Sequence, residues 1–564
     1  MSTEKNNLNN IVKAIPLGGH GEIGKNSWVF ECQDEIIIVN FGFKLPGNDK
    51  WGVDLVLPNP TYLKENEHKI KALIVTSAHD DSCGGVFYLL DKLNIPKVHV
   101  PKLALEYLNK TAEKEKLKSA KVLTARETIQ AGNNFKITPI ANTSCLPDTY
   151  GLIIETPQGR IVYTGSYKID QTPPDKVLMD YYSYAQAGED TVSLLISDST
   201  EIETVGYSTT DSKIQKKFNE IIRDVKHRLI IVTSTFEIHK YQIIFDLANK
   251  HNKKIYVSGK DIENCINAAI DSKFLTVSKS TLISKQDLKN TPKEELIILT
   301  TGHHGNFLQG LSDLANETHE IKLESNDTIV ISADPPPGTI RMLARTVDQL
   351  YVQKVQVISG RGQDLHFSSH PPQEEAKFII CTTKPRAFIP SHGEERHLVM
   401  HANIAESMGV NHNDIQILKN GDIVEIRGGI TRVSGKVPSS SIYYNKEIGL
   451  DIDEFTMKER ETLSAEGTVT VAISLDTDRN IIAGPEIFAE ACSFAKGKDW
   501  RAFCISTVEL IKQAIKEKIA LDEKDLPSIK STVKDTLNKY VIELVGKRPL
   551  VNVAIQEVKL AEKK

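Results

Sequence analysis

Between Val12 and about Glu201, short β-rich runs alternate with helical segments, and each run stops at turn-forming or polar residues. Glu35–Asn40, Ala72–Thr76, Lys97–Val100, Lys136–Ile140, Gly151–Thr156, Arg160–Thr164 and Ser193–Ser197 are expected as buried or half-buried strands. That alternation restricts the first two hundred residues to a layered α/β domain, which keeps its chemistry where strands end in loops. Gly84–Asn94 is expected as a helix, with Gly84-Gly85 letting the backbone turn tightly into it. A second block, about Gly206–His370, alternates again. Helices are expected at Ile214–Val225 and Ile238–Asn252, and strands at Arg228–Thr233, Lys254–Ser258, Leu296–Thr300 and Thr328–Ser332. This suits a nucleotide-binding-like α/β insert. Strand and helix signals from Lys377 to about Val433 then complete the first domain. The last hundred residues read strand (Gly467–Ser474), helix (Trp500–Ile519), helix (Ser528–Val545) and strand (Pro549–Val558), a small α+β domain. The expected boundaries are 1–205 and 376–447 for the first domain, 206–375 for the insert, 448–464 for a linker and 465–564 for the last domain.

A chain of 564 residues is too long for one core and calls for about three or four domains of roughly 150 residues. Met1 to Asn10 is polar and unlike a signal peptide, and no apolar run approaches the roughly 20 residues that span a bilayer. Seven cysteines, odd in number and without a CxxC pair, argue against a disulfide framework and for a reducing, cytoplasmic compartment. A net charge of −5 does not advertise a nucleic-acid binder, although a local basic groove can serve one. The interleaved charges of Lys110–Lys121 read as a solvated helix face.

Several short motifs occur in a fixed order. They are Pro16-Leu17-Gly18-Gly19-x-Gly21-Glu22-Ile23-Gly24-Lys25-Asn26; Tyr163-Thr164-Gly165 followed by Lys168-x-Asp170-Gln171-Thr172-Pro173; and Ser197-Asp198-Ser199-Thr200-Glu201. Thr301-Gly302-His303, His366-x-Ser368-Ser369-His370, Phe388-Ile389-Pro390-x-His392-Gly393-Glu394 and Lys547-Arg548-Pro549 follow. In these words the chain resembles the ribonuclease J family over essentially its whole length. The resemblance implies a metallo-β-lactamase αββα sandwich, an inserted β-CASP α/β domain and a small C-terminal α+β domain. It also implies two metal ions held through seven positions.

Those positions have eroded. The family's metal loop reads Thr-His-x-His-x-Asp-His-x-Gly-Gly, and here the segment is Thr76-Ser77-Ala78-His79-Asp80-Asp81-Ser82-Cys83-Gly84-Gly85. Carried over one by one, the ligand positions fall on Ser77, His79, Asp81, Ser82, Ser144, Ser166 and His392, with Ser166 in place of the bridging aspartate. A supporting aspartate falls on Asn40. The residual metal set is therefore His79, Asp81 and His392. Neutral hydroxyls cannot supply the charge that holds a zinc pair and acidifies its bound water, and loss of even a supporting partner costs about 10–100-fold. The family's catalytic positions fall on Asp198 and His370, which are retained, but no functional catalytic set is expected around them. The loop holding His366, Ser368, Ser369 and His370 keeps the donors with which the family holds RNA phosphate.

The reading is a ribonuclease J-like paralogue with little or no nuclease activity. It would bind RNA or regulate an active paralogue in mRNA decay and rRNA processing, with no resident cofactor. Expected partners are RNA, an active ribonuclease J paralogue and a second copy joined through the C-terminal domain, without a membrane. Two alternatives stay open. One is an active 5′-to-3′ exoribonuclease and endoribonuclease with an altered site of one or two zinc ions, to which Cys83 and Cys145 could contribute. The other is a scaffold that does not bind RNA. His303-His304 reads as a surface pair.

Overall fold

Two strand pairings join chain segments far apart in sequence and define the first domain. Val12–Gly18 pairs antiparallel with Asp422–Arg427, and Val192–Asp198 pairs parallel with Ala387–Ser391. The computed structural model describes residues 10–559 except 48–51, 112–116, 118, 303–304, 336–337, 361–363, 367, 447, 496–497 and 522–524. His303-His304 and part of Lys110–Lys121 therefore lie outside the described residues.

The first sheet has eight strands, in the order Ile430–Lys436, Asp422–Arg427, Val12–Gly18, Ser27–Cys32, Glu35–Val39, Ile70–Ile74, Val98–Val100 and Lys121–Val122. The second has six: Ala387–Ser391, Val192–Asp198, Gly159–Tyr163, Thr149–Thr156, Phe135–Asn142 and Ile129–Ala131. Trp28, Phe30 and Ile37 from one sheet meet Leu152, Ile161 and Ile196 from the other in one apolar core. The outer face of the second sheet is covered by Tyr184, Ile379, Ile380 and Ala405, carried on helices. Central strands such as Glu35–Val39 are buried at every residue, because both faces of the sheet are covered. This is the expected αββα sandwich. The expected strands are present, with ends that move by at most two residues where the ladder rather than the apolar run decides.

The inserted domain is a five-stranded parallel sheet in the order Lys254–Ser258, Leu296–Thr300, Leu229–Thr233, Thr328–Ser332 and Gln356–Ile358. Its apolar runs are continuous rather than alternating, as a parallel sheet buried on both faces requires.

Three expectations need correction. The helix expected at Gly84–Asn94 is shorter, Val86–Lys92, and a separate short helix, Asp80–Cys83, precedes it. Neither Gly84 nor Gly85 uses a left-handed backbone; they are glycines because a Cβ would strike Phe43 at 2.3 Å or Leu57 at 2.8 Å. The segment 448–464, expected as a linker, holds strand Leu450–Ile452 and most of helix Glu454–Glu466, whose N-cap Asp453 accepts from Thr456 N–H at 2.7 Å. The C-terminal domain contains a strand the pattern did not reveal, Ile481–Glu490, at the edge of a three-stranded sheet with Thr468–Leu475 and Leu550–Glu557.

The chain divides into two compact units: the described parts of Met1–Leu45 with Val56–Ile442, and of Pro46–Leu55 with Tyr443–Lys564. The first contains both the sandwich and the insert. Among the described residues, no helix is long and apolar enough to cross a membrane.

Candidate functional site

The loop after strand Ile70–Ile74 is held through its carbonyls by backbone N–H groups of two neighbouring segments. Asn26 N–H donates to Asp81 O at 2.8 Å, Phe41 N–H to Ser82 O at 3.0 Å and Phe43 N–H to Asp80 O at 3.0 Å. Gly42 is required for this approach, since a Cβ there would fall 1.7 Å from Asp81 O. Within the turn, His79 caps the short helix: its Nδ1 accepts from Asp81 N–H at 3.3 Å and lies 3.2 Å from Asp81 Oδ1. Two of the serines expected at ligand positions are used locally. Ser77 Oγ accepts from His79 N–H at 3.2 Å, and Ser82 Oγ donates to Asp81 Oδ1 at 2.8 Å.

The parallel register that sets Asp198 opposite Ser391 brings His392 to the same end of the sheet. His392 has φ +54° and is buried. Its Nε2 accepts from Gly24 N–H at 3.1 Å, and Nδ1 lies 3.1 Å from Thr200 Oγ1 and 3.6 Å from Asp198 Oδ1. His370 donates from Nδ1 to Asp198 Oδ2 at 2.5 Å, with its ring centre 5.3 Å from that of His392. Asp81 Oδ2 is 3.5 Å from His392 Nε2.

Charge alternates through this group. Burial alone would raise the carboxyl of Asp81, but the His79 imidazole, with His392 and His370 behind it, holds it well below the usual range. Asp198 is depressed in the same way, against burial, by His370 and His392. Burial would lower His79, yet Asp81 with Asp80 and Glu237 raises it to about 9. His392 is likewise raised by Asp198 and Asp81 against the effect of burial.

One ligand atom from each of Asp81, His370 and His392 lies within 4.8 Å of the others. His79, expected in that set, is outside it and His370 takes its place. Ser144 is buried, and Ser166 is half-buried, its carbonyl accepting from Asn142 Nδ2 at 3.2 Å. Asn40 has φ +61°; its side chain accepts from Thr76 N–H at 2.8 Å and donates to Tyr163 Oη at 3.2 Å. The amide uses both a donor and an acceptor, which a carboxylate could not do. Three donors fit one ion. A pair would need further ligands, and Ser166, expected at the bridging position, offers only a neutral hydroxyl, while Asp198 contacts His370, His392 and Thr200.

Four family models match successive parts of the chain. They are the metallo-beta-lactamase superfamily over residues 20–178, the ribonuclease J beta-CASP domain over 226–350, the Zn-dependent metallo-hydrolase RNA specificity domain over 356–415 and the ribonuclease J C-terminal domain over 455–558. Ribonuclease J2 of Bacillus subtilis is 32% identical over 98% of this chain and 100% of its own length. The chain belongs to the ribonuclease J family. Ribonuclease J of Synechocystis is 36% identical over 86% of this chain and 76% of its own length. A solved protein of unknown function from Enterococcus faecalis shares the fold, with a TM-score of 0.52 at 12% identity over 74% of this chain and 100% of that one.

Within the ribonuclease J frame, the loop 366–370 is less open than its sequence suggests. Ser368 Oγ accepts from His370 N–H at 3.2 Å. Ser369 Oγ is hydrogen-bonded to the Cys145 thiol, and His366 Nδ1 lies 3.1 Å from Lys240 Nζ and 3.6 Å from Glu237 Oε1. Cys145 also donates to Phe236 O at 3.2 Å, and Cys83 to Ala78 O at 3.2 Å. Burial pushes Cys145 up to about 12 and Cys83 well above its ordinary value, so both behave as protonated thiols outside the Asp81 group. Sequence reasoning missed Glu237 and Lys240, and gave no role to Thr200 and Gly24 although both stand in its motifs. The available signal was the charged run Glu237-Ile238-His239-Lys240 opening a helix whose remaining inward positions are apolar.

Proposed function

We propose that this chain is an RNA-binding or regulatory member of the ribonuclease J family with little or no nuclease activity, acting beside an active paralogue in mRNA decay and rRNA processing. The observation that carries the reading is the set of serines at four ligand positions, of which Ser77 and Ser82 are engaged in local hydrogen bonds. Membership of the family supports RNA as the partner, as does the match to an RNA specificity domain over 356–415. Ser368 and His370 are the donors of the loop 366–370 best placed to meet it. Absence of a resident metal is part of the proposal, and so is a reducing, cytoplasmic setting, which the free cysteines support. Self-association through the C-terminal domain is supported by its edge strand Ile481–Glu490, on which Ile482 and Phe488 are exposed.

The grouping of Asp81, His370 and His392 favours a second reading, an enzyme with a single ion. Elemental analysis of protein purified without chelator separates the two. Less than about 0.2 equivalents of zinc or manganese, with RNA binding and no cleavage, supports the first; about one equivalent with metal-dependent cleavage supports the second.

A further inference from the structure

Helix Ile238–Lys250 runs from the loop 366–370 to the edge of the insert where strand Lys254–Ser258 begins. Lys240, in its first turn, lies 3.1 Å from His366. Lys250, in its last turn, stands about 15 Å further along the axis at ~1.5 Å per residue. There the helix meets Asp211–Asp224, the first helix of the insert. Lys250 Nζ donates to Asn219 Oδ1 at 3.2 Å, and His251 Nε2 lies 3.0 Å from the same oxygen. Lys216 and Arg223 precede and follow Asn219 by one helical turn, which sets all three on one face.

The charge gathered there is unbalanced. Arg223 donates through two nitrogens to Asp224 and is neutralised by it. Lys216, Lys250 and Lys253 make no ion pair among the described residues; Lys250 and Lys253 donate to uncharged oxygens, Asn219 Oδ1 and the Glu294 carbonyl. His251 feels the result: burial holds it below its ordinary value, and Lys250, Lys253 and Arg223 push it the same way. Attraction to a helix C-terminus would explain Arg223 and Lys250, each in a last turn. It does not explain Lys216, in the middle of its helix, or Lys253, beyond the end of the other.

The patch also lacks apolar anchors. Among the described residues between Tyr207 and Ile340, no large apolar side chain is exposed. Protein interfaces take most of their strength from such groups. Flexible ammoniums on a solvated surface suit a phosphate backbone instead, which is bound through charge and counterion release without regard to sequence.

We propose that Lys216, Lys250 and Lys253 form a second contact for the phosphate backbone of an RNA whose other part lies at the loop 366–370. This rests on the RNA-binding reading given above. An RNA long enough to follow helix Ile238–Lys250 from one end to the other touches both places, and a very short one touches only the first.

The test uses full-length wild type and the triple variant Lys216→Gln, Lys250→Gln, Lys253→Gln. RNAs of about 4 and about 30 nucleotides are titrated by fluorescence anisotropy over a series of salt concentrations. In the variant the long RNA should bind about tenfold more weakly at low salt, and the slope of log affinity against log salt should fall by about 2, at ~0.7 per lost phosphate contact. The short RNA should bind both proteins within about twofold, and thermal unfolding should be unchanged. A long-RNA affinity and salt slope equal to wild type overturn the proposal and leave the RNA-binding reading standing. Equal weakening of short and long RNA overturns it as well, because the lysines would then act at the loop 366–370. Displacement of the long RNA by polyglutamate as effective as by unlabelled RNA of the same charge assigns the patch to an acidic polypeptide and overturns it too. If wild type binds neither RNA, the RNA-binding reading and the proposal fall together.

Discussion

Lys168 is a fully buried cation that joins a loop of the sandwich to the first helix of the insert, and replacing it makes a quantitative prediction. Its side chain is fully buried, with Nζ 3.0 Å from Asp170 Oδ2 and 2.6 Å from Asp211 Oδ1. Asp170 belongs to the loop after strand Gly159–Tyr163, and Asp211 opens helix Asp211–Asp224 of the insert. Asp170 has other partners: Oδ2 accepts from Asp211 N–H at 2.7 Å and Oδ1 from Thr172 N–H at 2.8 Å. Among the described residues Asp211 Oδ2 makes no hydrogen bond and lies 3.6 Å from His239 Nδ1. Lys168→Met keeps the length and removes the charge, leaving two buried carboxylates 1% exposed or less as residues. Breaking a buried pair in this way costs about 3–5 kcal/mol. Adding Asp211→Asn removes the stranded charge and should restore about half of that loss, a coupling of roughly 1–3 kcal/mol. Urea unfolding, followed separately by probes in the insert and in the sandwich, reads this without assuming one transition. A single-variant cost below about 1 kcal/mol, or strict additivity in the double variant, would refute the claim that Lys168 holds the two carboxylates together.

The same cluster predicts a pH dependence. Burial would lower His239, but Asp175 at 3.2 Å and Asp211 raise it to about 9, above the unfolded value near 6.5. Its stabilisation is therefore complete below about pH 6.5 and lost as pH rises through about 9; a His239→Gln variant should flatten thermal stability over that interval, and an unchanged profile would count against it. Restoring the cage with Ser77→His, Ser82→His, Ser144→His and Ser166→Asp should raise bound zinc to at least about one equivalent, checked by elemental analysis. A folded quadruple variant without metal would mean that Asn40 and its partners have drifted too. Gly42→Ala should destabilise the first unit by more than about 3 kcal/mol, because its Cβ would meet the Asp81 carbonyl at 1.7 Å; a thermal shift of a degree or less would contradict that clash.

The sandwich and the insert were legible because their strands are continuous apolar runs whose burial is set locally, as in Leu229–Thr233 and Thr328–Ser332. Strand Ile481–Glu490 was not, since it is an edge strand in which the inward Pro485, Ile487 and Ala489 alternate with an exposed Phe488, so the sequence blurs its apolar face. The helix at Glu454–Glu466 escaped for a related reason: Met457 is its one buried residue, so no apolar stripe marks it. At the site, the serines and the retained Asp198, His370 and His392 could be named from motif order. That His370 rather than His79 joins Asp81 and His392 depends on contacts between segments far apart in sequence, such as His370 with Asp198, and no local pattern carries that. Glu237 was hidden more deeply, because a glutamate at a helix start is commonplace until its burial is known.

The pairing of Val12–Gly18 with Asp422–Arg427 has a consequence for synthesis. The first strand leaves the ribosome roughly 400 residues before that partner, a delay on the order of 20–80 s at ~5–20 residues per second. Val192–Asp198 likewise waits for Ala387–Ser391 while the whole insert is made. Through that interval both sheets of the nascent sandwich present an unpaired strand edge, and the insert can fold long before the domain that hosts it is closed. The grouping of Asp81, His370 and His392 is thus a late product of translation, and a chain stalled before residue 387 would expose two sticky edges and lack His392.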